Sequence, residues 1–156
     1  MTADPTRGNG KRVGWAELPY LAPSKATILV VDDDPGIRKS LQRALVELGH
    51  QVRTASSAEE ADQWLSSQRF EVALLDIDLP RMSGVEFLSW ALTRDPEMAV
   101  IMLTGLDLPK VAIECLDHGA RTYLTKPVEA PFLRLALRDA LAMRALLIER
   151  NDLAAR

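Results

Sequence analysis

The chain has 156 residues, a net charge of −3 and 47% hydrophobic residues, which is length for one domain plus tails and apolar content for a full core. That charge gives no reason to expect nucleic-acid binding. The single cysteine, Cys115, excludes an internal disulfide, and with two histidines in the chain the Cys115-x-x-His118 spacing cannot complete a four-ligand zinc site. With no apolar leader at Met1 and no apolar run of membrane-spanning length, the chain is expected to be soluble, cytoplasmic and free of the membrane.

Residues 1–25 hold prolines and glycines without periodicity and read as a flexible arm. Trp15, Leu18, Tyr20 and Leu21 make it more apolar than a linker requires, which suits loose packing or a short docking motif. A domain is expected over 26–146. It opens on a buried strand at 27–31 that runs into Asp32-Asp33-Asp34-Pro35. Asp34 is the expected N-cap of a helix with Pro35 in its first turn. Ile37, Leu41, Ala44, Leu45 and Leu48 form its core-facing stripe, and Gly49 closes it.

A short strand at 51–55 precedes a helix opened by the capping box Ser57-Ala-Glu-Glu60 and running to about Ser66. The stretch Val72-Ala-Leu-Leu-Asp76-Ile-Asp78-Leu-Pro80 is a third strand, buried on both faces, that ends in a carboxylate and a proline-containing loop. Ser83-Gly-Val-Glu86 is a second capping box, with a helix to about Arg94. A fourth strand at 99–103 ends in Thr104-Gly105, and a helix follows from about Leu108 to Asp117. A fifth strand at 122–125 ends in Lys126-Pro127, and the last helix runs from near Glu129 to about Arg150, with 147–156 as its extension.

Five alternations of strand and helix predict a flavodoxin-like α/β fold: a doubly wound, five-stranded parallel sheet of order 2-1-3-4-5 with helices on both faces. Such sheets place their chemistry at the carboxyl ends of the strands, at the switch point between strands 1 and 3. There the sequence sets Asp32, Asp33 and Asp76, with Thr104 and Lys126 on the next two strands. Three carboxylates so close repel unless a cation sits among them. An all-oxygen ligand set suits a hard ion, and Mg²⁺ fits because it takes one or two carboxylates and completes its shell with water and phosphate. A lysine and a hydroxyl facing that ion suit a phosphoryl group.

Val-Val-Asp32-Asp33, Leu-Leu-Asp76-x-x-x-Pro80, Met82-Ser-Gly84, Leu-Thr104-Gly105, Gly119-Ala and Tyr123-Leu-Thr-Lys126-Pro127 together resemble the receiver domain of two-component response regulators, of the chemotaxis type. The resemblance covers about residues 26–146. It implies that Asp76 is a phosphoacceptor taking a phosphoryl group from a sensor histidine kinase or a phosphotransfer protein. Asp33 would bind Mg²⁺ directly, Asp32 would help through water, and the Asp78 backbone carbonyl would add a ligand. Lys126 and Thr104 would hold phosphoryl oxygens, and Gly105 would leave room for the group to enter. Leu106 would flank its approach. Tyr123 would follow Thr104 as a switch, and Lys126-Pro127 would be cis. The domain would catalyse only its own phosphorylation and dephosphorylation. Thr122 stands where many relatives have Asp, a surface change expected to be silent.

Two other readings compete. Asp76-Ile-Asp78 also fits the D-x-D of haloacid-dehalogenase-type phosphatases, although those carry it on their first strand. A receiver-shaped scaffold that never takes phosphate is the other. No Walker A pattern supports a nucleotide switch. The crowded carboxylates lead to the expectation that Asp33→Ala raises metal-free stability. Ala145, Leu146, Leu147 and Ile148 should lie too far along the last helix to pack fully on the sheet. A homodimer or an effector protein, meeting the chain through the last helix, is therefore the expected output partner.

Overall fold

A computed structural model describes residues 25–105 and 109–156. The expectations for the N-terminal arm and for Leu106 lie outside the described residues. The elements run β1 (Thr27–Val31), α1 (Pro35–Glu47), β2 (Gln51–Ala55), α2 (Ala58–Ser67), β3 (Val72–Asp76), α3 (Gly84–Arg94), β4 (Ala99–Thr104), α4 (Pro109–Asp117), β5 (Thr122–Thr125) and α5 (Ala130–Ala154). The strands form one parallel sheet of order β2-β1-β3-β4-β5. This is the predicted flavodoxin-like winding.

β3 and β4 are buried at every position, as apolar runs between two helical layers must be. The side chains of β1, β3 and β4 alternate between two cores. Leu29, Val31, Ala73, Leu75, Val100 and Met102 meet α2, α3 and α4. Ile28, Val30, Val72, Leu74, Ile101 and Leu103 meet α1 and α5.

The helix starts follow their caps. Asp34 Oδ1 accepts from the backbone N–H groups of Gly36 and Ile37, and Ser57 Oγ accepts from Glu60. The Glu60 carboxylate reaches back to the Ser56 N–H, one residue before the position a standard capping box would use. α1 ends in a left-handed Gly49, φ +94°. These short connections leave β1 and β3 adjacent, with their carboxyl ends at the same edge of the sheet.

α5 continues four residues past the expected end, because nothing in 151–154 breaks a helix. Leu147 and Ile148 are half-buried, while Leu146 is exposed, so the far part of the helix does not fully cover its aliphatic residues. Among the described residues no helix is long and apolar enough to cross a membrane.

Candidate functional site

Asp32 follows β1 directly and is fully buried, because its backbone N–H donates to Ala55 of β2 and keeps it in line with the sheet. Its side chain accepts from the Asp34 N–H at 2.9 Å, and its carbonyl accepts from Arg38 Nη1 at 2.7 Å. Arg38, one turn into α1 and half-buried, carries no signal in the sequence, since a helix arginine is ordinarily a solvated one. Asp33 points outward and is exposed. Asp76, the last residue of β3, is 2% exposed. One carboxylate oxygen from each of Asp32, Asp33 and Asp76 lies within 4.8 Å of the others. The structure thus brings together the three acids picked out by sequence.

Lys126 reaches into this group from the end of β5. Its Nζ lies 2.7 Å from Asp32 Oδ2 and 3.1 Å from Asp76 Oδ1. Lys126 therefore pairs with Asp32 as well as with Asp76, a contact that no spacing in the sequence announces. The chain reaches this point through a cis Lys126-Pro127 bond, as predicted, and the Lys126 N–H donates to the Thr104 carbonyl at 2.7 Å. Thr104 is buried at the end of β4 and Gly105 is exposed beside it. A Cβ on Gly105 would make ordinary contact with Lys126 Cδ at 3.9 Å. Tyr123 stands on the solvent side of β5 with 42% of its surface exposed.

Electrostatics at the site follow from burial. Desolvation pushes the Asp76 carboxyl up from 3.8 to about 6. The Asp78 N–H, 3.1 Å from Asp76 Oδ1, and the Lys126 ammonium oppose the rise, while the Asp32 charge adds to it. Burial works to lower the Lys126 pKa, but hydrogen bonding and attraction from Asp32 and Asp76 outweigh it and raise it.

The costly repulsion therefore lies between the two buried acids, Asp32 and Asp76. Asp33, facing water, is screened. The stability gain expected from Asp33→Ala shrinks accordingly. That variant should shift the metal-free unfolding free energy by no more than about 0.5 kcal/mol, as for an ordinary surface change. Urea denaturation in chelator measures it, and a gain above about 1 kcal/mol would return the repulsion to Asp33.

The donor set fits a hard divalent cation. It offers three carboxylates on a site open at Asp33. Asp32 Oδ2 is buried without an aligned hydrogen-bond donor, held by the Lys126 ion pair alone among the described residues. The Asp78 carboxylate is exposed, and its N–H is spent on Asp76.

One residue of the site was legible only as part of a pattern. Gly84 opens α3, and its N–H donates to the Ile77 carbonyl at 2.8 Å. A Cβ there would collide with the Asp76 carbonyl oxygen and with the Ile77 backbone. The glycine lets α3 start directly against the strand end that carries Asp76.

Comparison with known proteins identifies the family. The family model "Response regulator receiver domain" matches residues 28–138. Response regulator protein PilR of Pseudomonas aeruginosa is 35% identical over 121 residues, 78% of this chain and 27% of that protein. A cyclic di-GMP phosphodiesterase of Thermotoga maritima is 33% identical over 81% of this chain and 34% of its own length. The matched part thus spans about a quarter to a third of these relatives. Among solved structures, a CheY-like receiver domain protein of Methanospirillum hungatei superposes with a TM-score of 0.74 at 34% identity, covering 78% of this chain and 98% of the other. NtrX of Brucella abortus gives 0.80 at 32% identity, covering 83% and 30%. With a family model matching most of the chain, relatives at 33–35% identity and a shared fold, the chain belongs to the response regulator receiver domain family of two-component systems.

Proposed function

We propose that Asp76 is the phosphoacceptor of this receiver, taking its phosphoryl group from a phosphohistidine on a sensor histidine kinase or phosphotransfer protein. The observation that carries this reading is the Asp76 carboxylate, buried at the switch-point end of β3, touching Lys126 and within 4.8 Å of Asp32 and Asp33. An Asp76 carboxylate oxygen attacks phosphorus, the P–N bond breaks, and its electron pair leaves with the imidazole. Asp32, Asp33, Asp76 and the Asp78 backbone carbonyl are the groups that would hold Mg²⁺, which when bound supplies positive charge beside the phosphoryl oxygens.

The chain's own residues do the rest. Lys126 is held by two carboxylates and turns toward the phosphoryl oxygens as the Asp76 charge passes to the new acyl phosphate. The Asp78 N–H fixes one Asp76 oxygen and leaves the other to react. The Thr104 hydroxyl donates to the transferred group, and Gly105 leaves its entrance open. Tyr123, outward in this structure, turns in as Thr104 moves and alters the surface of α4, β5 and α5. The domain does not turn over a substrate; it catalyses only its own phosphorylation and dephosphorylation. It acts in the cytoplasm, beside its kinase, and passes its signal to an effector protein or a second copy.

Acetyl phosphate with Mg²⁺ tests this reading. The chain should gain one phosphoryl group, lost with chelator, and borohydride trapping followed by peptide mapping should place it on Asp76. Absence of label would favour the scaffold reading. A stable label elsewhere would overturn the assignment. The D-x-D phosphatase reading gains nothing from Asp78, whose carboxylate faces solvent.

A further inference from the structure

Both peptide units that flank Asp33 are tied down. On one side the Asp32 carbonyl accepts from Arg38 Nη1 at 2.7 Å, and on the other the Asp34 N–H donates to Asp32 Oδ1 at 2.9 Å. Asp33 itself is exposed, yet one of its carboxylate oxygens stays within 4.8 Å of one from Asp32 and one from Asp76. The Asp34 anchor belongs to the acidic run; the Arg38 anchor comes from outside it. Arg38 stands at the fourth position of α1, where side chains lean back toward the helix start, and this carries its guanidinium to the end of β1. The β2–α2 connection lies on its other side. There the Ser56 N–H and hydroxyl hold the Glu60 carboxyl below the usual carboxylate range; burial opposes them, and the Arg38 charge adds to the lowering. Electrostatics alone gives no reason for a cation at this place. The start of α1 is the positive end of the helix dipole, and the acids beside it are the groups that would hold Mg²⁺.

We propose that Arg38 is a positioning residue for the metal ligand Asp33: by holding the Asp32 carbonyl it fixes the peptide plane from which Asp33 departs, and so turns the exposed carboxylate toward Asp32 and Asp76 before a cation arrives. The inference rests on the reading of this cluster as a Mg²⁺ site. Its physical content is preorganisation. A carboxylate on a free loop gives up conformational freedom when an ion binds, and that cost comes off the affinity. With both flanking peptide units held, only the side-chain rotations of Asp33 remain to be fixed. Asp32 and Asp76 need no such help, since both are buried where the sheet's own hydrogen bonds hold the backbone. Supporting contacts behind a ligand commonly set metal affinity. Arg38 thus has two opposed effects on a bound cation: its charge repels the ion, while its hydrogen bond presents a ligand to it. The charge is half-exposed and faces Glu60, so it is screened; the hydrogen bond acts on the ligand's own backbone, and positioning wins.

Mg²⁺ affinity, measured by NMR titration of the full chain without a phosphoryl donor, separates the two effects by sign. Arg38→Met keeps the stem and removes the guanidinium, and it should weaken Mg²⁺ binding by roughly tenfold. Lys39→Met removes the same charge from the next, exposed position of α1 and should leave the affinity unchanged or slightly tighter. In an Asp33→Asn background, titrated to high Mg²⁺, Arg38→Met should no longer weaken binding, because the carboxylate it positions is gone. Amide spectra without metal should match wild type outside the two connections that Arg38 touches, which distinguishes a lost contact from a lost fold. A wild type that binds Mg²⁺ beside an Arg38→Met variant that binds as tightly or more tightly would overturn the positioning role and leave the Mg²⁺ reading standing. An equal loss in the Asp33→Asn background would overturn it as well, since Arg38 would then act on the fold or through another ligand. A wild type that binds no Mg²⁺ would overturn both.

Discussion

Asp76→Asn should take no phosphoryl group from acetyl phosphate, and in chelator at pH 7.5 it should be more stable than wild type. The amide keeps the carboxylate's shape and can still accept the Asp78 N–H, but its neutral oxygen is no nucleophile. The stability gain follows from the buried charge. Asp76 has its carboxyl raised from 3.8 to about 6, so ionising it costs more in the folded chain than in the unfolded one. Its contribution to stability is therefore fully present below about pH 4 and is lost as pH rises through about 6. The full shift corresponds to about 3 kcal/mol. In Asn the group does not titrate. The difference between variant and wild type should be near zero at pH 4 and approach about 3 kcal/mol by pH 7.5, or up to about 10 °C in Tm for a chain of this size. Subtracting the two profiles cancels the other titrating groups, including His50, whose pKa burial lowers. Mg²⁺ at pH 7.5 should close the gap by stabilising wild type more than the variant. A difference that stays flat from pH 4 to 7.5 would remove desolvated Asp76 from the account.

The strands and most helix starts were legible because local chemistry and tertiary burial agree there. Four apolar residues running into a polar one define both β1 and β3. Asp34, Ser57 and Ser83 cap the helices they precede. The strand-end acids were legible because a parallel sheet brings strand ends together whatever the loops do. Which of Asp32 and Asp33 is buried was not, since both sit in one acidic run and the answer depends on how far the chain stays in line with β2. The Lys126–Asp32 contact spans two intervening strands and leaves no spacing to read. The end of α5 was missed for the opposite reason: the chain there lacks a breaker, and propensity alone does not say where a helix leaves its support.

Gly84→Ala should destabilise the fold by about 2 kcal/mol or more and impair phosphoryl uptake with it, although alanine is the better helix former by about 1 kcal/mol. The reason lies in what the new methyl would meet. A Cβ at this position falls 2.6 Å from Ile77 Cα and 2.9 Å from the Ile77 carbonyl oxygen, and collides with the Asp76 carbonyl oxygen. These are backbone atoms, so no side chain can rotate aside. Either α3 must move away, breaking the 2.8 Å bond from the Gly84 N–H to Ile77, or the end of β3 must give way. Overpacking of this kind costs about 1–3 kcal/mol even where side chains can adjust, and here they cannot. If β3 yields, Asp76 moves relative to Lys126, so activity falls with stability. Gly105→Ala is the matched control at the same site. Its Cβ has 3.9 Å to Lys126 Cδ, and its unfolding free energy should stay within about 0.5 kcal/mol of wild type. Urea denaturation of both variants decides the matter. An unchanged midpoint for Gly84→Ala would mean that α3 does not need to start against the backbone of Asp76, and the close approach would lose its role in holding the phosphoacceptor.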